Sequence, residues 1–364
     1  MSPKDFIGSG IDVCLMCHPY FPSKDTGRGV DRYAFELQQN IIKTHPGINL
    51  RILHNGFAQA VLKVGIKQLK FMAGLLFVKA DLYHAASPMG GAPAALLGKS
   101  PLIVSIHDVI PYHVGGYDHA WKYAYKRFCT RLSVERSVAV IVPCRTTGAE
   151  LSSLLNVPES KIHVVNYGID HMEYYPRPGI ARSERSVLYV GEVSRAKGVD
   201  ALIRAFALVK EDIEDAELLI IGKRHRDQPL LERLCLDLGL RDVTFLGYIH
   251  EDLLPDYYCR ASVMVFPSRY GFGLSTLEAM ACGTPVIAGA VLDSPEFIGD
   301  AGILVDPEKP EELAVAVKRV LTEPGLKEKL SDSAVERAAE FSWERTAREI
   351  AYIYYSVKSV KQGL

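Results

Sequence analysis

The stretch VMVFPSRYGFGLSTLEAMACGTPVIAG, Val263 to Gly289, decides the fold. Val263 to Phe266 is a short apolar run, as in a strand buried on both faces. Pro267 to Gly273 breaks the pattern, with Gly271 and Gly273 around Phe272. Leu274 to Cys282 then has the composition of a buried helix, Gly283 and Thr284 end it, and Pro285 to Ala288 reads as the next strand. Strand, loop, helix and strand make one unit of a parallel α/β sheet. A glycine loop that opens onto a helix N-terminus also suits an anion, because orphan N–H groups and the helix dipole both favour negative charge. Glycine lets such a ligand approach the backbone closely. Glu278, about one turn inside the helix, is placed to accept hydrogen bonds from vicinal hydroxyls such as those of a ribose. On this segment alone, a tight turn and a surface glutamate explain the residues equally well.

The same alternation runs along the whole chain. In the first half, strands are expected at Ile11 to Cys17, Leu50 to His54, Asp81 to His84, Leu102 to Ile106, Val138 to Val142 and Ile162 to Val165. In the second half they are expected at Ser186 to Val190, Leu218 to Ile221, Val243 to Leu246, Val263 to Phe266, Pro285 to Ala288 and Ile303 to Val305. Between them NYGIDHMEYYPRPGIARSERS, Asn166 to Ser186, loses periodicity and gains Pro, Gly and charge, as a linker does. The expected class is α/β, with two Rossmann-like doubly wound parallel-sheet domains facing across a cleft, since such sheets bind ligands at the carboxyl ends of their strands.

Composition narrows the function. The chain has 364 residues, 48% hydrophobic and 23% charged, with a formal net charge of −1. That balance suits a folded protein and disfavours nucleic acid, whose phosphates call for a basic surface. Seven scattered cysteines do not form a disulfide framework and point to the cytoplasm. Cys14 and Cys17 form a C-x-x-C inside an apolar run, and no second pair stands at zinc spacing, so core packing is the expected role. The N-terminus lacks the pattern of a signal peptide, and no apolar run reaches the roughly 20 residues of a membrane span.

Several further motifs occur in order: LYVGEVSRAKGVDALIRAF, LLIIGKR, VTFLGYI, then GFGLSTLEAMACGTPVIAG, SPEFIGDAGILVDP and the terminal FSWERTAREIAYIYYSV. In the first half VSIHD, VNYGIDHMEYYP and the glycine-containing HPYFPSKDTGRGVDRY belong with them. Together they resemble the retaining family 4 glycosyltransferases of the GT-B fold, over nearly the whole chain. The resemblance implies an N-terminal acceptor domain over residues 1–176, a nucleotide-sugar domain over 177–341, and a C-terminal helix over 342–364 crossing back to the first domain. It implies that Glu278 binds ribose hydroxyls and that Lys197, helped by Arg195, neutralises the departing diphosphate. Gly271, Phe272, Gly273 and Leu274 would meet the sugar or its phosphates, with Gly191 and Gly222 at neighbouring strand ends. Gly247 and Tyr248 would lie beside the nucleobase, and His107 against the transferred sugar. Gly27 and Gly29 would be the first domain's contribution near the phosphates.

Two positions depart from the family pattern. Tyr270 stands where the first glutamate of a glutamate pair is expected, eight residues before Glu278, and Glu192 replaces a basic residue after Gly191. They keep open a protein that binds a nucleotide sugar without transferring it. A nucleotide-cofactor oxidoreductase is disfavoured, because no G-x-G-x-x-G follows either domain's first strand. No D-x-D pair is present in a strand-end loop to hold a metal with the diphosphate, and no cofactor is implied. The VSIHDVIPY segment resembles the mannosyltransferase side of the family, which puts GDP-mannose ahead of a UDP-hexose as donor. For the acceptor, a glycan or a lipid-linked acceptor is expected. From Arg51 to Ala80 there are five basic residues and no Asp or Glu, with Lys63, Lys67 and Lys70 at helical spacing. That pattern suits an anionic membrane surface, hence peripheral association with the inner face, and equally a packed helix with a solvated lysine stripe.

Overall fold

The computed structural model describes residues 10–17, 29–54, 62–113, 120–269, 273–291 and 293–362. Gly27, Tyr270, Gly271 and Phe272 lie outside them, as do the side chains of Lys63 and Lys67. The chain forms two compact units, one of residues 1–168 with Trp343–Leu364 and one of Ile169–Ser342.

The first unit contains β1 (Ile11–Met16), α1 (Gly29–Thr44), β2 (Ile48–Leu53), α2 (Leu62–Phe77), β3 (Leu82–Ala85), α3 (Pro88–Leu96), β4 (Leu102–Ser105), α4 (Ile110–His113), α5 (Ala120–Arg136), β5 (Ala139–Val142), α6 (Arg145–Leu155) and β6 (Ile162–Val164). Its six strands are parallel in the order β2-β1-β3-β4-β5-β6. Helices on a parallel sheet bury its strands, which is why β3, β4 and β5 are buried along their whole lengths. Cys14 and Cys17 sit in this core with free, buried thiols. Burial pushes the Cys14 thiol up to about 11 and the Cys17 thiol higher still, which makes both inert.

The second unit contains β7 (Ser186–Val190), α7 (Val199–Asp212), β8 (Glu217–Ile221), α8 (Gln228–Asp237), β9 (Val243–Gly247), α9 (Leu254–Arg260), β10 (Val263–Phe266), α10 (Leu274–Ala281), β11 (Val286–Gly289), α11 (Ser294–Ile298), β12 (Ile303–Val305), α12 (Pro310–Thr322) and α13 (Leu326–Ala338). Its sheet order is β12-β11-β10-β7-β8-β9, again parallel throughout. The chain builds outward from β7 to β9, then returns to the other side of β7 with β10. The switch point therefore lies between β7 and β10, where doubly wound sheets take their ligands. Every strand expected from the sequence is present, with ends shifted by no more than two residues.

The linker-like stretch is held on the second unit from Ile169 onward. Ile169 bridges to Ser342, His171 Nε2 donates to the Phe341 carbonyl at 2.9 Å, and Tyr174 is buried against Tyr258. Helix α14 (Trp343–Gln362) then belongs to the first unit, packed on α1. Its Tyr354 hydroxyl meets His84 Nδ1 on β3 at 2.6 Å, and His84 Nε2 meets Ser105 Oγ on β4 at 2.8 Å. Both His84 and Tyr354 are fully buried, so this polar pair bolts the returning helix to the sheet.

Candidate functional site

In the second unit, glycines shape the carboxyl edge of the sheet. Gly191 N–H donates to Ile221 O at 3.0 Å and Gly222 N–H to Gly247 O at 2.9 Å, continuing the ladder past the ends of β7 and β8. A Cβ on Gly222 would stand 1.8 Å from Gly191 O, so these two backbones touch. Beside them Tyr248 is half-exposed, with Lys223 Nζ 4.9 Å from its ring centroid. That cation–π contact gives the ring a charged neighbour at the mouth of β9.

At the switch point, the turn after β7 carries Arg195, Ala196 and Lys197 and ends at Gly198, whose φ is +74°. A Cβ there would be 1.9 Å from the Pro267 carbonyl oxygen, so the turn after β7 lies directly on the loop after β10. Arg269 clamps the two: its Nη1 donates to Asp200 Oδ1 at 2.9 Å and to the Arg195 carbonyl, and its Nε pairs with Glu308. Arg195 itself is exposed, its Nε 3.7 Å from Asp200 and its N–H on Asp227 at 3.0 Å, while Lys197 is half-buried. The Ser194 hydroxyl oxygen, just ahead of them, is buried with no hydrogen-bond partner among the described residues.

Gly273 is the N-cap of α10, with φ +77°, and no side chain caps the helix. A Cβ at Gly273 would be 2.7 Å from the Phe266 ring, so backbone conformation and packing both require glycine. The uncapped first turn, starting at Leu274, leaves N–H groups for a ligand. Glu278, one turn on, is buried rather than superficial, and Tyr258 on α9 donates its hydroxyl to Glu278 Oε2 at 2.7 Å. Burial and the adjacent carboxylate hold the Tyr258 hydroxyl well above its ordinary pKa, so it remains a donor.

In the first unit His107 follows β4. Its Nε2 contacts the Ala86 carbonyl at 2.7 Å, which assigns the proton to Nε2, so Nδ1 accepts from the Tyr167 hydroxyl at 2.8 Å. Tyr33 lies edge-on to the ring and Tyr167 stacks on it. Burial lowers the His107 pKa, and the ring is neutral at pH 7. With both nitrogens engaged, it is built to hold position rather than to move protons. Gly29 opens α1 and is exposed.

The structure thus brings Gly191, Arg195, Lys197, Gly222, Gly247, Tyr248, Gly273, Leu274 and Glu278 to the strand-end loops of one sheet and the helix that follows them, while His107 and Gly29 belong to the other unit. Sequence reasoning missed Gly198, Asp200, Tyr258 and Arg269. Gly198 closes the SRAKG motif and Arg269 stands in the glycine loop, so both had a local signal. Asp200 and Tyr258 had none.

Residues 7–173 match the model for Glycosyltransferase Family 4 and residues 184–323 the model for glycosyl transferases group 1. An uncharacterized glycosyltransferase of Methanocaldococcus jannaschii is 33% identical over 79% of this chain and 78% of its own. The O-antigen chain mannosyltransferase B of Escherichia coli is 26% identical over 69% of each. Among solved structures, sucrose-phosphate synthase from Thermosynechococcus elongatus has a TM-score of 0.84 at 24% identity, covering 96% of this chain and all 100% of its own. Anabaena HepE, solved in complex with UDP-glucose, has a TM-score of 0.74 at 18% identity, covering 95% and 100%.

Proposed function

This chain belongs to the group 1, family 4 glycosyltransferases of GT-B fold, and from that premise we propose that it moves a hexose from a nucleotide diphosphate sugar to a glycan or lipid-linked acceptor with retention of configuration. The observation that carries the proposal is the contact of Gly198 with Pro267, which sets the Lys197 turn against the loop that leads into the uncapped N-terminus of α10. A diphosphate leaving group gathers charge as its bond to the sugar breaks. Lys197, Arg195 and the α10 amides supply preorganised positive potential for it without a metal ion. Glu278 takes the ribose hydroxyls, oriented by Tyr258. Gly191 and Gly222 allow close approach, Gly247 and Tyr248 flank the base, and the resemblance assigns Gly271, Phe272 and Gly273 to the sugar and phosphates.

The transfer itself is same-face substitution: the diphosphate departs, an oxocarbenium-like sugar forms, and the departing phosphate takes the acceptor's proton. The resemblance assigns His107 to the transferred sugar and Gly27 and Gly29 to the phosphates; His107 is held in its orientation by the Ala86 carbonyl and the Tyr167 hydroxyl. GDP-mannose is the first donor to try, in keeping with the mannosyltransferase among the relatives, and a UDP-hexose the second, in keeping with HepE. Lys197→Ala is the test: kcat should fall at least about 100-fold, the scale for losing a group that stabilises transition-state charge. An unchanged kcat would overturn the assignment. The changes at Tyr270 and Glu192 favour one rival, a nucleotide-sugar binder that does not turn over, which a product assay separates from the enzyme.

For the acceptor side, the helix α2 adds support for a membrane surface at the inner face. Leu69, Ala73, Leu76 and Phe77 share one exposed face, with Lys70 exposed beside it. No helix among the described residues is long and apolar enough to cross a membrane. Phe77→Ser with Leu76→Ser should weaken co-sedimentation with anionic vesicles, and equal sedimentation would remove this part of the proposal.

A further inference from the structure

Away from the donor loops, the second unit has a cavity of about 370 Å³ lined by Pro176, Arg177, Arg182, Cys259, Cys282 and Lys327 among others. Two of its lining groups are thiols, both free, and they come from separate helices: Cys259 from the last turn of α9 and Cys282 from the C-cap of α10. The two residues are in contact: the Cys259 thiol donates to the Cys282 carbonyl at 3.8 Å and to the Tyr175 carbonyl at 3.5 Å. Charges of both signs line the cavity, Arg177, Arg182 and Lys327 with Glu184 and Glu328, and the Arg177 guanidinium is paired with Asp256 through Nη1. Arg182 Nη2 donates to the carbonyl of Gly283, the residue after Cys282, at 2.7 Å. Arg177 keeps a buried Nε–H that has no hydrogen-bond partner among the described residues.

We propose that Cys259 and Cys282 are a peroxide-responsive thiol pair that closes to a disulfide behind Glu278. The arrangement gives the two sulfurs different roles. Cys259 is the nucleophile, because the Cys282 S–H, the Arg177 backbone N–H and the Arg177 and Arg182 guanidiniums all favour its thiolate, lowering its pKa against the effect of burial. Cys282 is the reserve thiol, held protonated by that same hydrogen bond and by burial. The Cys259 thiolate attacks one oxygen of a hydroperoxide, the O–O bond breaks, and Cys259 becomes a sulfenic acid while the other oxygen leaves and is protonated. Cys282 then loses its proton to the departing hydroxyl and attacks the Cys259 sulfur, releasing water and forming the S–S bond. With hydrogen peroxide, two thiols are oxidised to one disulfide and the peroxide is reduced to two waters. The cavity admits a small peroxide to thiols that are otherwise buried, whereas Cys14 and Cys17 lie in the first sheet's core with raised pKa values.

The consequence follows from neighbours. Tyr258, one residue before Cys259, donates to Glu278, and Cys282 N–H donates to the Glu278 carbonyl at 3.1 Å. Joining the sulfurs draws the end of α10 toward α9 and disturbs the Tyr258 to Glu278 bond. This effect on donor binding rests on the reading of Glu278 given above, whereas the crosslink itself does not.

The experiment is graded hydrogen peroxide on the full chain, followed by alkylation, mass-spectrometric mapping of the cysteines, and titration with GDP-mannose and UDP-glucose before and after reductant. Cys259 should react about tenfold or more faster than Cys129 or Cys235, whose thiols have raised pKa values. The Cys259–Cys282 link should appear in the wild type, and Cys282→Ser should stop at the sulfenic acid. Donor affinity should fall about tenfold on oxidation and recover with reductant. Modification of Cys259 no faster than the other cysteines, or oxidation without that link, overturns the proposal. A link that forms while donor affinity stays the same upholds the thiol pair and counts against Glu278 as a donor ligand.

Discussion

Acid should loosen the first unit through His84. This imidazole has 0% exposure and bridges Tyr354 on α14 to Ser105 on β4. Burial, with a smaller contribution from His107, lowers its pKa to about 3. In the unfolded chain it titrates near its ordinary value of about 6.5. Below that pH the unfolded state takes up a proton the folded state refuses, so stability is complete above about 6.5 and is lost as pH falls toward 3. The slope in that window is about 1.4 kcal/mol per pH unit, so at pH 4.5 the cost is about 2.7 kcal/mol, a large part of a domain's usual 5–15 kcal/mol. The assay has a built-in probe, because both tryptophans, Trp121 and Trp343, belong to the first unit. Urea unfolding followed by tryptophan fluorescence at pH 7.5, 5.5 and 4.5 should show the wild type losing stability faster than His84→Gln. The glutamine can still bridge a hydroxyl on each side, and the other histidines of the unit are common to both proteins, so the difference between them isolates His84. Equal losses in the two proteins between pH 6.5 and 4.5 would refute the assignment of that proton to His84.

Other perturbations reach the donor loops. Gly222→Ala forces a Cβ to 1.8 Å from Gly191 O and should cost about 1–3 kcal/mol or more together with donor binding, whereas Gly179→Ala, with nothing within 4 Å, should stay within about 0.5 kcal/mol by thermal melting. Tyr258→Phe removes the 2.7 Å bond to Glu278 and should weaken donor binding about tenfold, read by calorimetry, with kcat less affected than KM. Arg269→Ala should lower kcat without abolishing folding, since it frees the Lys197 turn from the loop after β10; steady-state kinetics and a melt measure the two effects separately.

The sheets were legible because most strands are compact apolar runs, several of which end at a glycine, proline or charged residue. Gly191 after LYV and Gly222 after LLII mark strand ends plainly, and the order of motifs carried the resemblance further than any one loop. The same glycines also show what sequence conceals. Read as places for a ligand to approach, Gly222 turns out to be required by the Gly191 backbone as well, and Gly191 by the Tyr189 and Phe266 side chains. Glu278 was visible, but its partner Tyr258 lies 20 residues upstream on another helix, and His84 meets Tyr354 across 270 residues. Such pairs leave no local period, because tertiary packing alone sets them. Cys259 and Cys282 carried no local signal either, because they come together from separate helices.

The most direct measurement is calorimetric titration of the wild type, Glu278→Ala and Lys197→Ala with GDP-mannose and with UDP-glucose, in buffer without divalent metal. The account predicts that one of these sugars binds the wild type and that each substitution weakens it by about tenfold or more, the scale of losing a hydrogen bond to a charged group. Binding that both substitutions leave unchanged, or no binding of either sugar to the wild type, would contradict the placement of the donor at the β7 and β10 loops.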